Sequence, residues 1–196
     1  MIYDISQEIL SCKVFPGDPA PEREQLLRME EGAACNLTRF SMCSHNGTHV
    51  DAPAHFVRDG KTIDQIPLDV WVGDCYVARM DGDVTAEDAA RMLEDARAAG
   101  AEERLLIAGQ AALTAEAAQV FAEAGLKLYG NESQTVGPED QTEEVHRIHK
   151  ILLGSGMVLL EGAVLKDVPA GKYLLNAAPL NFAGNEGAPC RAWLRK

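Results

Sequence analysis

No stretch of this sequence is apolar for long enough to span a bilayer, and its opening, Met1-Ile2-Tyr3-Asp4, lacks the basic residues and apolar run of a secretory signal. A cytoplasmic protein is expected. Bases are scarce: 18 Lys+Arg face 30 Asp+Glu, a formal charge of −12 that repels nucleic-acid backbones and anionic lipid surfaces. Neither nucleic acid nor membrane is expected as a partner. The five cysteines, Cys12, Cys35, Cys43, Cys75 and Cys190, are odd in number and contain no C-x-x-C pair, so they predict neither a disulfide framework nor a zinc knuckle. Cys43 is the one to follow, because it lies two residues from a histidine. Repeats, low-complexity tracts and Pro/Ser linkers are also missing, which leaves one domain over residues 1–196. At 46% hydrophobic and 24% charged residues the composition is that of a globular domain, and a chain this long buries roughly 70% of its unfolded surface. Such a core needs no structural metal, so an ion here would serve chemistry.

Up to about Ile66 the chain mixes short β-like runs, Ile2-Tyr3-Asp4-Ile5 and Leu37 to Met42, with turn signals such as Phe15-Pro16-Gly17-Asp18-Pro19. From Asp74 the pattern alternates strand and helix. Cys75 to Ala78 reads as a strand. Thr85 and Asp88 form a capping-box signal for a helix with Ala89, Met92, Leu93 and Ala96 on one face, which Gly100 ends. Leu105 to Ala108, a helix capped by Thr114 and stopped by Gly125, and Leu126 to Tyr129 make the next unit. A third helix from Glu139 to Leu153 leads into Met157 to Glu161, apolar on both faces and so a covered strand. Tyr173 to Leu175 and Cys190 to Leu194 read as strands again. The sum is a compact single-domain α/β fold with sheet outweighing helix near its ends.

The five histidines fall in two short segments, His45, His49 and His55 in one, His146 and His149 in the other. Within the first, ligand-capable side chains occupy positions 45, 49, 51 and 55. All four are odd, so in an extended chain they project to one side, three imidazoles and the Asp51 carboxylate converging around Gly47. A mixed N/O set without thiolate suits catalytic zinc, manganese or iron(II). Glu161 closes an apolar strand, where a carboxylate is costly unless it is paired or holds a metal. His45, His49, Asp51, His149 and Glu161 could hold one ion or two, with Asp51 and Glu161 as bridges. His55 then remains as proton carrier, its unperturbed pKa being near working pH. Spacing alone leaves His146 and His149 equivalent, and both could belong to a solvated helix face.

The run His45-Asn46-Gly47-Thr48-His49-Val50-Asp51-Ala52-Pro53-Ala54-His55 resembles the H-x-G-T-H-x-D-x-P-x-H signature of the cyclase family of metal-dependent hydrolases, which includes formamidases and isatin hydrolases. The resemblance continues through Pro16-Gly17-Asp18, through His149 followed twelve residues on by Glu161, and through a closing pattern of Pro179, Leu180, Gly184, Gly187, Pro189, Arg191 and Ala192. It implies a swivelling α/β domain with a mixed sheet, assembled as a homodimer or homotetramer, a neighbour's loop often bordering the site. It selects His149 over His146. It further implies one ion on His45, His49, Asp51 and Glu161, a second on Asp51, His149 and Glu161, and His55 as catalytic proton carrier. Two departures stand out. Phe15 takes the place of a Trp that packs against an aromatic substrate, and the family's Gly-x-Asp-x-x-Ser loop is here Gly130-Asn131-Glu132-Ser133-Gln134-Thr135.

The expected activity is hydrolysis of a small N-acyl amide by a zinc or manganese enzyme, first an arylformamide such as N-formylkynurenine, with Phe15 against the aryl ring. A ring-opening hydrolase of a lactam or lactone would use the same residues. A metal- or ligand-binding protein without turnover is the alternative from another class.

Overall fold

The computed structural model describes residues 1–196. Thirteen strands and four α-helices follow one another as β1 (Ile2–Asp4), β2 (Glu22–Leu27), β3 (Leu37–Ser41), β4 (His49–Asp51), α1 (Leu68–Trp71), β5 (Val72–Arg79), β6 (Gly82–Val84) and α2 (Ala86–Ala98). Then come β7 (Arg104–Ala108), β8 (Ala111–Leu113), α3 (Ala115–Ala124), β9 (Leu128–Asn131), α4 (Thr142–Gly154), β10 (Val158–Glu161), β11 (Gly171–Asn176), β12 (Gly187–Pro189) and β13 (Trp193–Arg195). The α/β expectation holds, and no helix is long and apolar enough to cross a membrane.

Helix ends follow the local chemistry. Thr85 and Asp88 close a reciprocal capping box on α2, Thr114 accepts from Ala117 N at 3.2 Å to start α3, and Gly125 in the left-handed region ends it. The third expected helix begins later than its pattern, at Thr142, because Pro138 to Gln141 close a turn in which Gln141 N donates to Pro138 O at 3.0 Å. β2 escapes the sequence reading altogether. Its residues Glu22-Arg23-Glu24-Gln25 carry no apolar alternation, since the strand pairs only with β3 and buries neither face.

Nine strands form one sheet in the order β1-β13-β11-β5-β7-β9-β10-β4-β12. β5, β7, β9 and β10 are mutually parallel, and the flanking strands pair antiparallel. Alternation along the central strands splits the core. Leu105, Ile107 and Leu159 pack with Phe121 and Ile148 of the helical layer, whereas Leu106, Val158 and Leu160 pack with Ile5, Trp71 and Tyr173 on the other face.

The sheet is strongly curled, as its own connectivity requires. β12 and β13 lie seven strands apart in the order, about 34 Å in a flat sheet, yet Pro189 and Trp193 are joined by four residue steps that reach at most ~14 Å. The expected single strand from Cys190 to Leu194 is broken for this reason. Cys190 N donates to Thr48 O at 3.1 Å beside β4, while Trp193 already pairs with Asp4 of β1. The N-terminal segment ties the two ends together, with Ile5 N bonded to Ala192 O and Gln7 N to the Thr48 hydroxyl.

Candidate metal centre

The register of β4 against β10 builds the centre. Glu161 lies opposite His49 and Leu159 opposite Asp51, so His49, Asp51 and Glu161 share the face turned toward the helical layer, while Val50 and Leu160 turn to the other core. α4 brings His149 onto the same face: its buried stripe Val145, Ile148, His149 and Leu152 packs against the sheet. His45 arrives from the turn before β4 and His55 from the 3₁₀ turn Pro53–His55 after it. The expected extended run from 45 to 55 is thus corrected. Only His49 to Asp51 is strand, because Gly47 adopts a φ of +66° and Pro53 starts a 3₁₀ turn; the same side chains nevertheless converge.

Asp51 is fully buried at the middle of the group. Its Oδ1 lies 2.8 Å from His45 Nδ1 and 3.5 Å from His49 Nε2, and its Oδ2 lies 3.8 Å from His149 Nε2. Glu161 completes the ring, with Oε2 3.3 Å from His49 Nε2 and Oε1 3.4 Å from His149 Nε2. The second nitrogens of two imidazoles are spoken for. His49 Nδ1 donates to Gly47 O at 3.0 Å and His149 Nδ1 to Val145 O at 2.8 Å, which fixes the tautomers so that both Nε2 lone pairs point into the cluster. His49 Nε2, both Asp51 oxygens and Glu161 Oε1 are buried and accept or donate no hydrogen bond of normal geometry. Such groups are costly to leave unmet, and a set of imidazole and carboxylate donors within reach of one another fits a divalent cation.

The electrostatics follow from burial and mutual contact. Burial disfavours a charged His45, but the Asp51 carboxylate, with Glu161 and Glu186, lifts its pKa to about 9. Burial opposes charge on His49 and His149 too, and Glu161 and Asp51 outweigh it, raising both. Asp51 is pulled the other way: burial favours its acid form, and the imidazoles of His45, His49 and His55 hold it well below the usual carboxylate range. His55 differs from its neighbours. Burial lowers its pKa, Asp51 opposes this, and the imidazoles of His45 and His149 reinforce it, so His55 stays neutral near pH 7.

Beside the centre opens a cleft of about 240 Å³. Phe15 lines it together with His55, Phe56, Gln134, His146 and Glu161. Phe56 stacks on His149, ring centroids 4.5 Å apart, and meets His55 edge-on at 4.6 Å. Two sets of ligand atoms lie within reach of one another, His45 with Asp51 and His55, and His49 with Asp51 and Glu161; Cys43 lies outside both, against a separate apolar groove with Phe40 and Phe182. Glu132 does not line the cleft; its carboxylate accepts from Gly109 N at 2.6 Å and Leu165 N at 2.9 Å and ties the loop down. Sequence reasoning passed over Glu186, which accepts from the Ser44 hydroxyl at 2.6 Å and lies 3.3 Å from His45 Nε2. Gly187 beside it leaves room for His45, since a Cβ there would stand 2.6 Å from the imidazole Cε1. The signal for Glu186 was faint, a lone acid in the Gly-rich closing segment.

Known proteins resemble this chain in sequence and in fold. Residues 3–138 match the family model described as "Putative cyclase". The chain is 34% identical over 208 aligned residues to the kynurenine formamidase of Erythrobacter litoralis (strain HTCC2594), covering 100% of this chain and 94% of that one. A predicted metal-dependent hydrolase from Bacillus stearothermophilus superposes with a TM-score of 0.79 at 27% identity, over 99% of this chain and 97% of that one. Isatin hydrolase A from Labrenzia aggregata shares the fold, with a TM-score of 0.81 at 20% identity over 99% of this chain and 93% of that one.

Proposed function

The chain belongs to the cyclase family, and from that premise we propose that it is a metal-dependent amidohydrolase whose substrate is a small arylformamide such as N-formylkynurenine. The observation that carries this is the buried ring of unpartnered donors, His49 Nε2, both Asp51 oxygens and Glu161 Oε1, flanked by imidazoles of fixed tautomer. His45, His49, Asp51, His149 and Glu161 would hold the metal, zinc or manganese, as one ion or two. Bound there, a divalent ion supplies Lewis acidity, acidifying water and polarising a carbonyl.

The remaining steps belong to side chains. His55 is neutral near pH 7 and faces the cleft, so it takes the proton of the attacking water and returns it to the leaving nitrogen, which is a very poor leaving group without it. Phe15 and Phe56 give the aryl ring apolar walls. Five free cysteines suit a reducing compartment, and we place the enzyme in the cytoplasm. We also infer a homodimer or homotetramer, supported by the exposed β2–β3 ribbon with its apolar tip.

Hydrolysis of N-formylkynurenine by protein reconstituted with zinc or with manganese, each with and without chelator, tests the reading. Turnover abolished by chelator is the expected result; no turnover by protein shown to carry metal overturns the substrate. His55→Ala should keep its metal and lose about 10²- to 10⁴-fold in kcat. Loss of metal from that variant would make His55 a ligand instead.

A further inference from the structure

We infer that Gln134 reads the N–H of the scissile amide and so favours amides that carry an N–H over esters and tertiary amides; the inference rests on the amidohydrolase reading above. Gln134 is 4% exposed and forms part of the cleft wall, yet neither its Oε1 nor its Nε2 has a hydrogen-bond partner. A buried side-chain amide is costly to leave unmet on both atoms, so a bound group is the natural complement. The adjacent Thr135, buried and lining the same cleft, has an unpartnered hydroxyl as well.

The loop around Gln134 is held rigidly. Glu132 is clamped by two backbone N–H groups, Asn131 Nδ2 donates to Thr135 O at 2.9 Å, and Ser133 O accepts from Gly162 N at 2.7 Å, directly after Glu161. Gly162 makes room for the amide: it adopts a φ of +66°, and a Cβ there would stand 2.2 Å from Gln134 Nε2. The free amide therefore sits against the backbone of Gly162, the residue that follows Glu161.

The chemistry of the cleft leaves Gln134 one distinctive role. Of its lining, His45, His149 and Glu161 would hold the metal and His55 would carry the proton, Asp18 and His146 are ionisable, and Phe15, Phe56 and Val145 are apolar. Gln134 Oε1 and the Thr135 hydroxyl are the unpartnered neutral acceptors left, and the longer Gln134 is the one we assign to the amide N–H. Holding that N–H fixes the rotation of the amide plane and turns the nitrogen toward the proton carrier. An ester has no such hydrogen and gains nothing from it.

The test compares metal-loaded wild type with Gln134→Met, which keeps length but offers no hydrogen bond, on formanilide and phenyl formate; Gln134→Leu serves if the Met variant does not fold. Expected is a loss in kcat/KM of about tenfold for the anilide, with the ester within about twofold and metal content unchanged. Equal losses on both substrates, or none on either, overturn the inference. A second arm titrates the unreactive ligands acetanilide and N-methylacetanilide calorimetrically. Wild type should favour the N–H compound and Gln134→Met should not. If wild type cleaves neither formyl compound, the amidohydrolase reading fails, and the titration still decides Gln134: absence of an N–H preference, including absence of binding, overturns it.

Discussion

His45 and His55 stack with ring centroids 4.1 Å apart, yet their protons behave oppositely. His45, pressed against Asp51, is held protonated by a pKa of about 9, whereas His55 is driven neutral. A metal taken up at His45 must expel that proton. Below about pH 9 the proton competes, so the apparent affinity for zinc should rise with pH through the neutral range and level off above about 9. Calorimetric titration at pH 7.5 in buffers of different ionisation enthalpy should accordingly show proton release. An enthalpy independent of buffer would remove His45 from the ligand set. At this scale the sequence was informative where ligand types crowd together, because an accidental cluster of His45, His49, Asp51 and His55 in eleven residues is improbable. It was silent on Glu186 and Phe56, and it marked Gln134 only as part of a loop that departs from the family pattern. Their importance comes from what they approach in space, a His45 nitrogen, the His149 ring and the open cleft, and none of these is encoded in local spacing.

At the scale of elements, α4 carries one functional side chain on a face otherwise given to packing. Ile148, Leu152 and Leu153 are buried against the sheet, and His149 lies between them. Leu152→Ala should cost about 2–5 kcal/mol in unfolding free energy, by lost burial and a cavity under the helix. It should also weaken metal binding, because the His149 ring loses its support. Denaturant unfolding of the metal-free variant measures the first effect and metal titration the second; a destabilised variant with unchanged affinity would show that β4 and β10 alone set the centre. The helices were legible because caps and apolar stripes are local: Thr85, Thr114 and Gly125 do what their types dictate. The strand pairing that aligns His49 with Glu161 was not, since it joins segments over a hundred residues apart through a register no local pattern records.

The whole molecule shows one feature that a monomer does not explain. β2 and β3 form a ribbon separate from the main sheet, exposed at every strand residue, and an isolated two-stranded ribbon is at best marginally stable in water. Its tip is apolar, with Leu26, Leu27 and Leu37 exposed and Met29 56% exposed; at its root Phe40, 64% exposed, borders a groove with the exposed Leu180 and Phe182. Residues 22–41 carry four acids and three bases, nearly neutral in a chain of net charge −12, so two copies meet there without the repulsion of the rest of the surface. In the homodimer proposed above, a second copy related by a two-fold axis would satisfy both ends at once, each tip covering the other's root groove. The ribbon was not legible in the sequence, because β2 has the charge pattern of a solvated strand. Light scattering should give wild type twice the chain mass or more, and Leu27→Glu should reduce it while circular dichroism stays unchanged. Phe182→Glu should do the same from the groove side. Mixing the two variants leaves one intact tip facing one intact groove, so a weaker heterodimer should form where neither variant associates alone. A wild type that stays monomeric, or a mass indifferent to both substitutions, would make the ribbon a feature of the single chain.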